Sequence, residues 1–316
     1  MARDIIKIGT RGSPLALYQA HEVRRHIMNA HDMEENQFDI KIIKTSGDKI
    51  QDKSLRSFGG KGLFTKEIED ALLAKEIDIA VHSMKDMPTR YPDGLTISCM
   101  LPRDDVRDAF ISHKARSVLE LPQAAVVGTS SLRRGAQIKK LRPDLKIVEF
   151  RGNVHTRLQK LQDGVADATL LAAAGLKRLN LENKITSMIV PDQMLPAIAQ
   201  GAIGVEVRED DVDMADILSS INHAETQLCV NIERAFLARL NGSCKTPIAG
   251  LAILQGEENE TGSGHAIMFK GQILTPDGSV SYETEGIANP EQAEDVVSDL
   301  AEALLSQAGS NFFQDK

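Results

Sequence analysis

Asp86 ends the run His82-Ser83-Met84-Lys85-Asp86, in which polar side chains arrive together after the apolar stretch Ile77-Asp78-Ile79-Ala80-Val81. The apolar half is short and mostly β-branched, so it reads as a strand buried on both faces and ending near Val81. Pro88 stops a helix or a ladder from continuing. Ligands of open α/β sheets bind beyond the carboxyl ends of strands, which makes Asp86 a candidate catalytic carboxylate, although an Asp that merely caps a strand-end turn has the same spacing. Cys244 stands in a loop after Asn241-Gly242, beside Lys245 and before Pro247. A neighbouring cation favours the thiolate, while a lone cysteine is equally at home as an inert core residue. The remaining candidates are cations. Arg11 lies in a strand-to-helix loop beside backbone N–H groups that favour an anion. Arg133 and Arg134 follow Ser130 and Ser131, either of which suits a helix N-cap. Arg151 closes another strand and Arg157 enters the next helix, and Lys177 and Arg178 form a further pair. A cation in the first turn of a helix opposes the helix dipole by about 0.3–1 kcal/mol. Helix stability therefore does not account for Arg133 and Arg134, and an anionic ligand would.

The elements that must position these groups follow from periodicity. Residues 4–10, 38–45, 77–81 and 95–101 read as strands, with a helix from Ser13-Pro14 onward whose N-cap is followed by proline at the first helical position. Residues 46–58 are polar and without period, a candidate lid. Gly59-Gly60-Lys61-Gly62 then opens a helix over about 63–74. Glycines and a lysine there suit an anion-binding nest, without the spacing of an ATP site. After Pro102 the pattern restarts, with strands at 109–112, 124–128, 146–150, 168–172 and 186–190 and helices between them, a second α/β unit. Residues 197–208 cross back, helices follow at 212–222 and about 224–240, and strands at 248–255, 265–274 and 279–286 with a helix over about 290–307 make a small α+β unit.

Composition narrows the function classes. The 316 residues contain 42% hydrophobic and 26% charged side chains, 4% aromatics and no tryptophan, which describes a soluble chain of two or three domains with aliphatic cores. No apolar run approaches the roughly 20 residues that span a bilayer, and no signal-peptide core is legible at the N-terminus. Three cysteines without CxxC spacing speak against a disulfide framework or a zinc site and for a reducing cytoplasm. The net charge of −8 is uneven: residues 251–316 hold 12 acidic and 2 basic side chains, whereas residues 128–160 hold nine Lys or Arg against Asp144 and Glu149. A local positive field in an acidic protein suggests a polyanionic small ligand rather than nucleic acid.

Eight stretches, GTRGSPLAL, GGKGLFTKEIE, HSMKDMPT, GTSSLRR, RGNVHTRL, AGLKRL, LPAIAQGAIG and NGSCKTPIAG, follow one another along residues 8–250. Any one is weak, but eight in order are specific, and together they resemble the hydroxymethylbilane synthase family, also called porphobilinogen deaminases. The resemblance implies an α/β fold of two periplasmic-binding-protein-like α/β lobes with a basic cleft, plus a small C-terminal α+β domain. Domain 1 would be 1–102 with 199–221, domain 2 103–198, and domain 3 222–316. It implies a transferase that joins four porphobilinogen molecules head to tail with loss of ammonia and releases hydroxymethylbilane by hydrolysis. The growing chain would be primed by a dipyrromethane cofactor, made from two substrate molecules and held by a thioether to Cys244.

Carried onto this chain, the family's cofactor contacts fall on Ser83, Lys85, Asp86, Thr129, Ser131, Arg133 and Arg134. Its substrate contacts fall on Arg11, Ser13, Lys61, Arg151, Arg157 and Arg178. Every porphobilinogen brings an acetate and a propionate, and the planar arginine fork suits carboxylates better than lysine does. Asp86 would stabilise the positive ring nitrogen that develops as a pyrrole attacks an electron-poor azafulvene, and would relay protons. No metal, nucleic acid or membrane is implied, and the expected state is a cytoplasmic monomer. Three positions depart from the family pattern: Ser57 for a basic residue, Ser243 for a glycine before the cysteine, and Ala199 for a glycine in LPAIAQGA. A two-lobed carboxylate-binding protein without catalysis would also account for the paired units and the arginines, but would have no use for Cys244 or Asp86. A nucleic-acid binder would use the 128–160 stretch, against which stand the few aromatics and the acidic total.

Overall fold

The computed structural model describes residues 5–49, 64–243, 246–256, 265–309 and 312. Its strands run, in chain order, β1 (Ile6–Thr10), β2 (Phe38–Ile42), β3 (Ile79–Ser83), β4 (Leu95–Met100), β5 (Asp108–Ser112), β6 (Val126–Gly128) and β7 (Lys146–Val148). They continue with β8 (Ala168–Ala172), β9 (Ser187–Ile189), β10 (Ile203–Arg208), β11 (Ile248–Gln255), β12 (Ala266–Leu274) and β13 (Ser281–Ala288). The chain divides into two compact units, Met1–Asp104 with Gly201–Gln227, and Asp105–Gln200 with Leu228–Lys316.

The first unit is built on a five-stranded sheet in the order β2-β1-β3-β10-β4. β1 pairs parallel with β2 and β3, and β10 runs antiparallel between β3 and β4. Apolar side chains of these strands, among them Ile6, Ile8, Ile79, Val81, Cys99 and Val205, pack against Ala20, Val23 and Ile27 of the helix Pro14–His31 and Met214 and Leu218 of the helix Val212–Ser219. That helix begins where the sequence says: Ser13 Oγ accepts from Ala16 N at 3.2 Å and Pro14 takes the first position, where its missing N–H costs nothing. Cys99 is fully buried, and burial pushes its thiol up to about 12, so it serves as a small hydrophobe.

The second unit carries a sheet with the same plan, β7-β6-β8-β5-β9. β6 pairs parallel with β7 and β8, and β5 is antiparallel to both β8 and β9. In each sheet the antiparallel strand, β5 or β10, is the one reached just after the chain passes from one unit to the other. Both faces of this sheet are covered, by one apolar group around Phe110, Val127, Ile138 and Leu170 and another around Ile111, Phe150, Leu171 and Leu176. The same unit contains the antiparallel sheet β11-β12-β13, with the helix Ala293–Ala308 against β13 and the Phe236 and Phe269 rings in contact at 4.9 Å between centroids. Leu195 packs with Ala249 and Leu251, joining this small sheet to the rest of its unit.

Two α/β sheets and a small α+β element are the architecture expected from the sequence. One local expectation is corrected. β3 does not end at Val81 but runs through His82 and Ser83, because Gly204 and Ile203 of β10 supply a ladder partner for both. Of the polar segment at 46–58, residues Ser46–Lys49 form a helical turn, and Ser46 N donates to Glu67 Oε1 at 2.8 Å. The rest of that segment, with Ser57, the glycine run and Lys61, lies outside the described residues, as do Cys244 and Lys245.

Candidate active site

At the carboxyl end of β3 the first unit has a pocket lined by Arg11, Ser13, Gln19, Phe64, Thr65, His82, Ser83 and Asp86 with apolar neighbours. Each side chain is held by the element that carries it. The loop after β1 puts Arg11 over the Phe64 ring, 4.3 Å from its centroid, a contact that fixes the cation without neutralising it. Ser83 ends β3, and its hydroxyl lies 2.8 Å from Nε2 of Gln19, a buried residue of the helix Pro14–His31. Asp86 closes the short 3-10 helix Met84–Asp86 and is exposed, whereas Met84 and Met87 on either side are buried and anchor the turn. Beneath them His82 Nε2 meets Glu206 Oε2 of β10 at 3.0 Å, both side chains buried. Four residues singled out from sequence, Arg11, Ser13, Ser83 and Asp86, therefore share one pocket, and Lys85 belongs to the same turn as Asp86.

In the second unit the helix Leu132–Leu141 starts after β6 with Ser131 as N-cap, its Oγ accepting from Arg134 N at 3.4 Å. Thr129 Oγ1 accepts from Ser131 N at 3.2 Å and steadies the loop before the cap. Arg133 and Arg134 point inward and are nearly fully buried. Asp108, at the start of β5, takes Arg133 Nη2 at 2.8 Å and Arg134 Nη2 at 2.7 Å, and also accepts from Gln200 Nε2 at 3.0 Å. Arg134 Nη1 donates to Leu170 O and Arg133 Nη1 to Leu195 O. Burial would push the Asp108 carboxyl up, but the two guanidiniums overcome it and hold the group below the usual carboxylate range. Part of the anion that these arginines require is thus supplied by the chain itself. The trio keeps one net positive charge, and Arg133 Nε, buried, has no hydrogen-bond partner among the described residues. An anionic ligand fits that unmatched donor.

The other predicted cations lie along the same unit. Arg151 pairs through Nε with Glu149 Oε1 and is half-buried. Arg157, in the helix Val154–Gln162, donates through Nε to Gly152 O of the preceding loop at 2.9 Å, and Asn153 caps that helix by accepting from Thr156 N at 2.9 Å. Arg178 ends the helix Ala173–Arg178 and is buried. Lys61 and Cys244 lie outside the described residues. Sequence reasoning missed Gln19, Asp108 and Glu206. Glu206 had a legible signal, a carboxylate between Val205 and Val207 of an apolar run, Asp108 stands at the head of the apolar run of β5, and Gln19 is a buried polar residue on an apolar helix face.

Two family models match the chain: "Porphobilinogen deaminase, dipyromethane cofactor binding domain" over residues 6–216 and "Porphobilinogen deaminase, C-terminal domain" over residues 227–306. Among curated proteins, a porphobilinogen deaminase of Paracoccus denitrificans is 56% identical over 308 residues, 98% of this chain and 96% of that protein. A chloroplastic porphobilinogen deaminase of Pisum sativum is 52% identical over 314 residues, 98% of this chain and 83% of that protein. Among solved structures, a nutrient binding protein from Burkholderia cenocepacia, bound to methionine, aligns with a TM-score of 0.42 at 16% identity, over 70% of this chain and 93% of that one.

Proposed function

Since the chain belongs to the porphobilinogen deaminase family, we propose that it is a transferase of tetrapyrrole biosynthesis. It joins four porphobilinogen molecules head to tail with loss of ammonia and releases hydroxymethylbilane by hydrolysis. The observation that carries this reading is the pocket at the end of β3, which collects an exposed carboxylate, a stacked arginine and the hydroxyls of Ser13, Thr65 and Ser83. When bound through a thioether to Cys244, dipyrromethane supplies the free pyrrole carbon to which units are added. The unmatched Arg133 Nε, beside a trio with one positive charge in excess, suits a carboxylate-bearing group of this kind.

In this reading Asp86 is the catalytic group. Exposed on a turn anchored by two buried methionines, its carboxylate stabilises positive charge on a pyrrole nitrogen without having to reorganise. Ser83, Lys85, Asp86, Thr129, Ser131, Arg133 and Arg134 contact the cofactor, and Arg11, Ser13, Lys61, Arg151, Arg157 and Arg178 bind substrate carboxylates. The Phe64 ring beneath Arg11 and the Gln19 amide beside Ser83 support preorganisation of their partners. The three-domain division, 1–102 with 199–221, 103–198 and 222–316, belongs to the same reading, and the separate β11-β12-β13 sheet supports a boundary near the helix Ala224–Arg239. So do a cytoplasmic location and a monomeric state. No helix among the described residues is long and apolar enough to cross a membrane.

Intact-protein mass spectrometry of the wild type beside Cys244→Ser tests the assignment. A stable added mass of two linked pyrrole units on the wild type alone is the expected result. If the wild type carries no adduct, even after incubation with porphobilinogen, the reading is overturned.

A further inference from the structure

His82 lines the pocket, yet no role in the assignment above uses it. Its neighbours are unusual for a core. Glu206 on β10 stands opposite Ala80 in the ladder, so its side chain reaches diagonally across the same sheet face to His82, Nε2 to Oε2 at 3.0 Å. Glu206 is completely buried, and its second oxygen, Oε1, has no hydrogen-bond partner among the described residues. Glu69, from the helix Lys66–Leu73, is buried nearby. Burial pushes its carboxyl up, the Glu206 charge pushes in the same direction, and the Thr65 hydroxyl and His82 partly offset them. Arg11 and Asp86 are the other charged groups on the pocket wall.

Two carboxyls and one imidazole in a buried space carry one potential negative charge too many. An unmatched buried carboxylate oxygen costs stability, and hydrophobic residues of similar size would pack there without that cost. The hydrogen bonds of the described residues engage only Nε2 of the His82 ring, leaving Nδ1 available to a bound molecule.

Resting on the deaminase reading, we propose that His82 is a second proton-handling group of this reaction, with Glu206 as its positioning residue. In each condensation the aminomethyl C–N bond of the incoming unit breaks, and the nitrogen takes a proton and leaves as ammonia. The methylene carbon then bonds to the α-carbon of the acceptor pyrrole, and that carbon loses its hydrogen as a proton. One proton is gained and one lost, so a wall group that gives the first and recovers the second returns to its starting state without an external acid. His82 does this, Glu206 holds the imidazole in place and stabilises its charged form, and Asp86 remains the carboxylate that faces the positive ring.

The test is the pH–rate profile of kcat, measured with saturating porphobilinogen on wild type, His82→Gln and Glu206→Gln, each first checked by mass spectrometry for its bound dipyrromethane. His82→Gln is expected to keep the cofactor and KM, to lose about 10²- to 10⁴-fold in kcat, and to lose one limb of the wild-type profile. Glu206→Gln, which keeps a hydrogen bond but not the charge, is expected to move that limb to lower pH. Cofactor-loaded variants with the wild-type profile overturn the proposal, whereas a wild type that never acquires cofactor fails the family reading instead. Should His82→Gln not fold, Glu206→Gln decides alone: a shifted limb supports the proposal and an unshifted one overturns it.

Discussion

Asp86 and Ala199 show how much rests on single residues. Asp86 is exposed and contributes little packing, so its replacement should spare the fold and strike the chemistry. Asp86→Asn is expected to melt like the wild type and to lose about 10²- to 10³-fold in turnover, the usual cost of removing one preorganised electrostatic group. Near-normal turnover in a steady-state assay would remove Asp86 from the mechanism. Ala199 occupies the left-handed region at φ 59°, where its N–H donates to the buried Glu233 Oε2 at 2.6 Å. That conformation costs an L-residue roughly 1–2 kcal/mol, and glycine's extra freedom in the unfolded chain takes back about 0.4–1 kcal/mol. Ala199→Gly should therefore raise stability by about 0.5–1 kcal/mol in a denaturant melt. A lower midpoint would show that the loop does not bear this strain.

At the scale of elements, the position of Asp86 is decided by a strand that comes more than a hundred residues later. Gly204 of β10 lies against the turn that carries Asp86, and a Cβ added there would sit 2.1 Å from Met84 Sδ and 3.0 Å from its Cγ. Met84 is fully buried and cannot swing into solvent. Gly204→Ala should cost about 1–3 kcal/mol by overpacking and should lower the activity of the molecules that remain folded, because the turn must move. Gly135, in the helix Leu132–Leu141, is the comparison: a Cβ there meets nothing closer than 3.6 Å. Gly135→Ala should be neutral or stabilising by up to about 1 kcal/mol. Equal activity per folded molecule in the two variants would sever β10 from the placement of Asp86.

At the scale of the whole molecule, the charge trio ties β5, the helix Leu132–Leu141 and the loop holding Gln200 into one acid-sensitive element. Asp108→Asn leaves two buried guanidiniums uncompensated, and losing one partner of a buried ion pair costs about 3–5 kcal/mol. The pH dependence follows from the lowered Asp108 carboxyl. In the unfolded chain the group protonates near pH 4; in the folded protein it stays ionised further down. Its contribution is complete above about pH 4 and is lost as pH falls through the folded-state value. Denaturant melts of wild type and Asp108→Asn should therefore differ most at pH 7 and converge below about pH 4. A gap that stays constant with pH would mean that the ion pair does not supply the stability.

Much of this was legible in the chain. The helix at Pro14 follows from Ser13 and Pro14 alone, and the strands from short apolar runs, because capping and burial on both faces act locally. The family followed from eight motifs in order, and the position of Asp86 in the turn beyond β3 followed from the buried apolar run before it. What local pattern left open was every contact made across the fold. The sequence offered no reason to extend β3 over His82 and Ser83, since the reason is β10 beside it. It read Arg133 and Arg134 as awaiting an external anion, whereas Asp108, 25 residues upstream of Arg133, supplies part of it. Nor did it pair Glu206 with His82, 124 residues apart. Sequence by itself determined which residues are chemically able and which elements carry them, because propensity and periodicity act over a few residues. Only the tertiary structure decided which charges meet, because a buried charge must find its partner in space, whatever its distance along the chain.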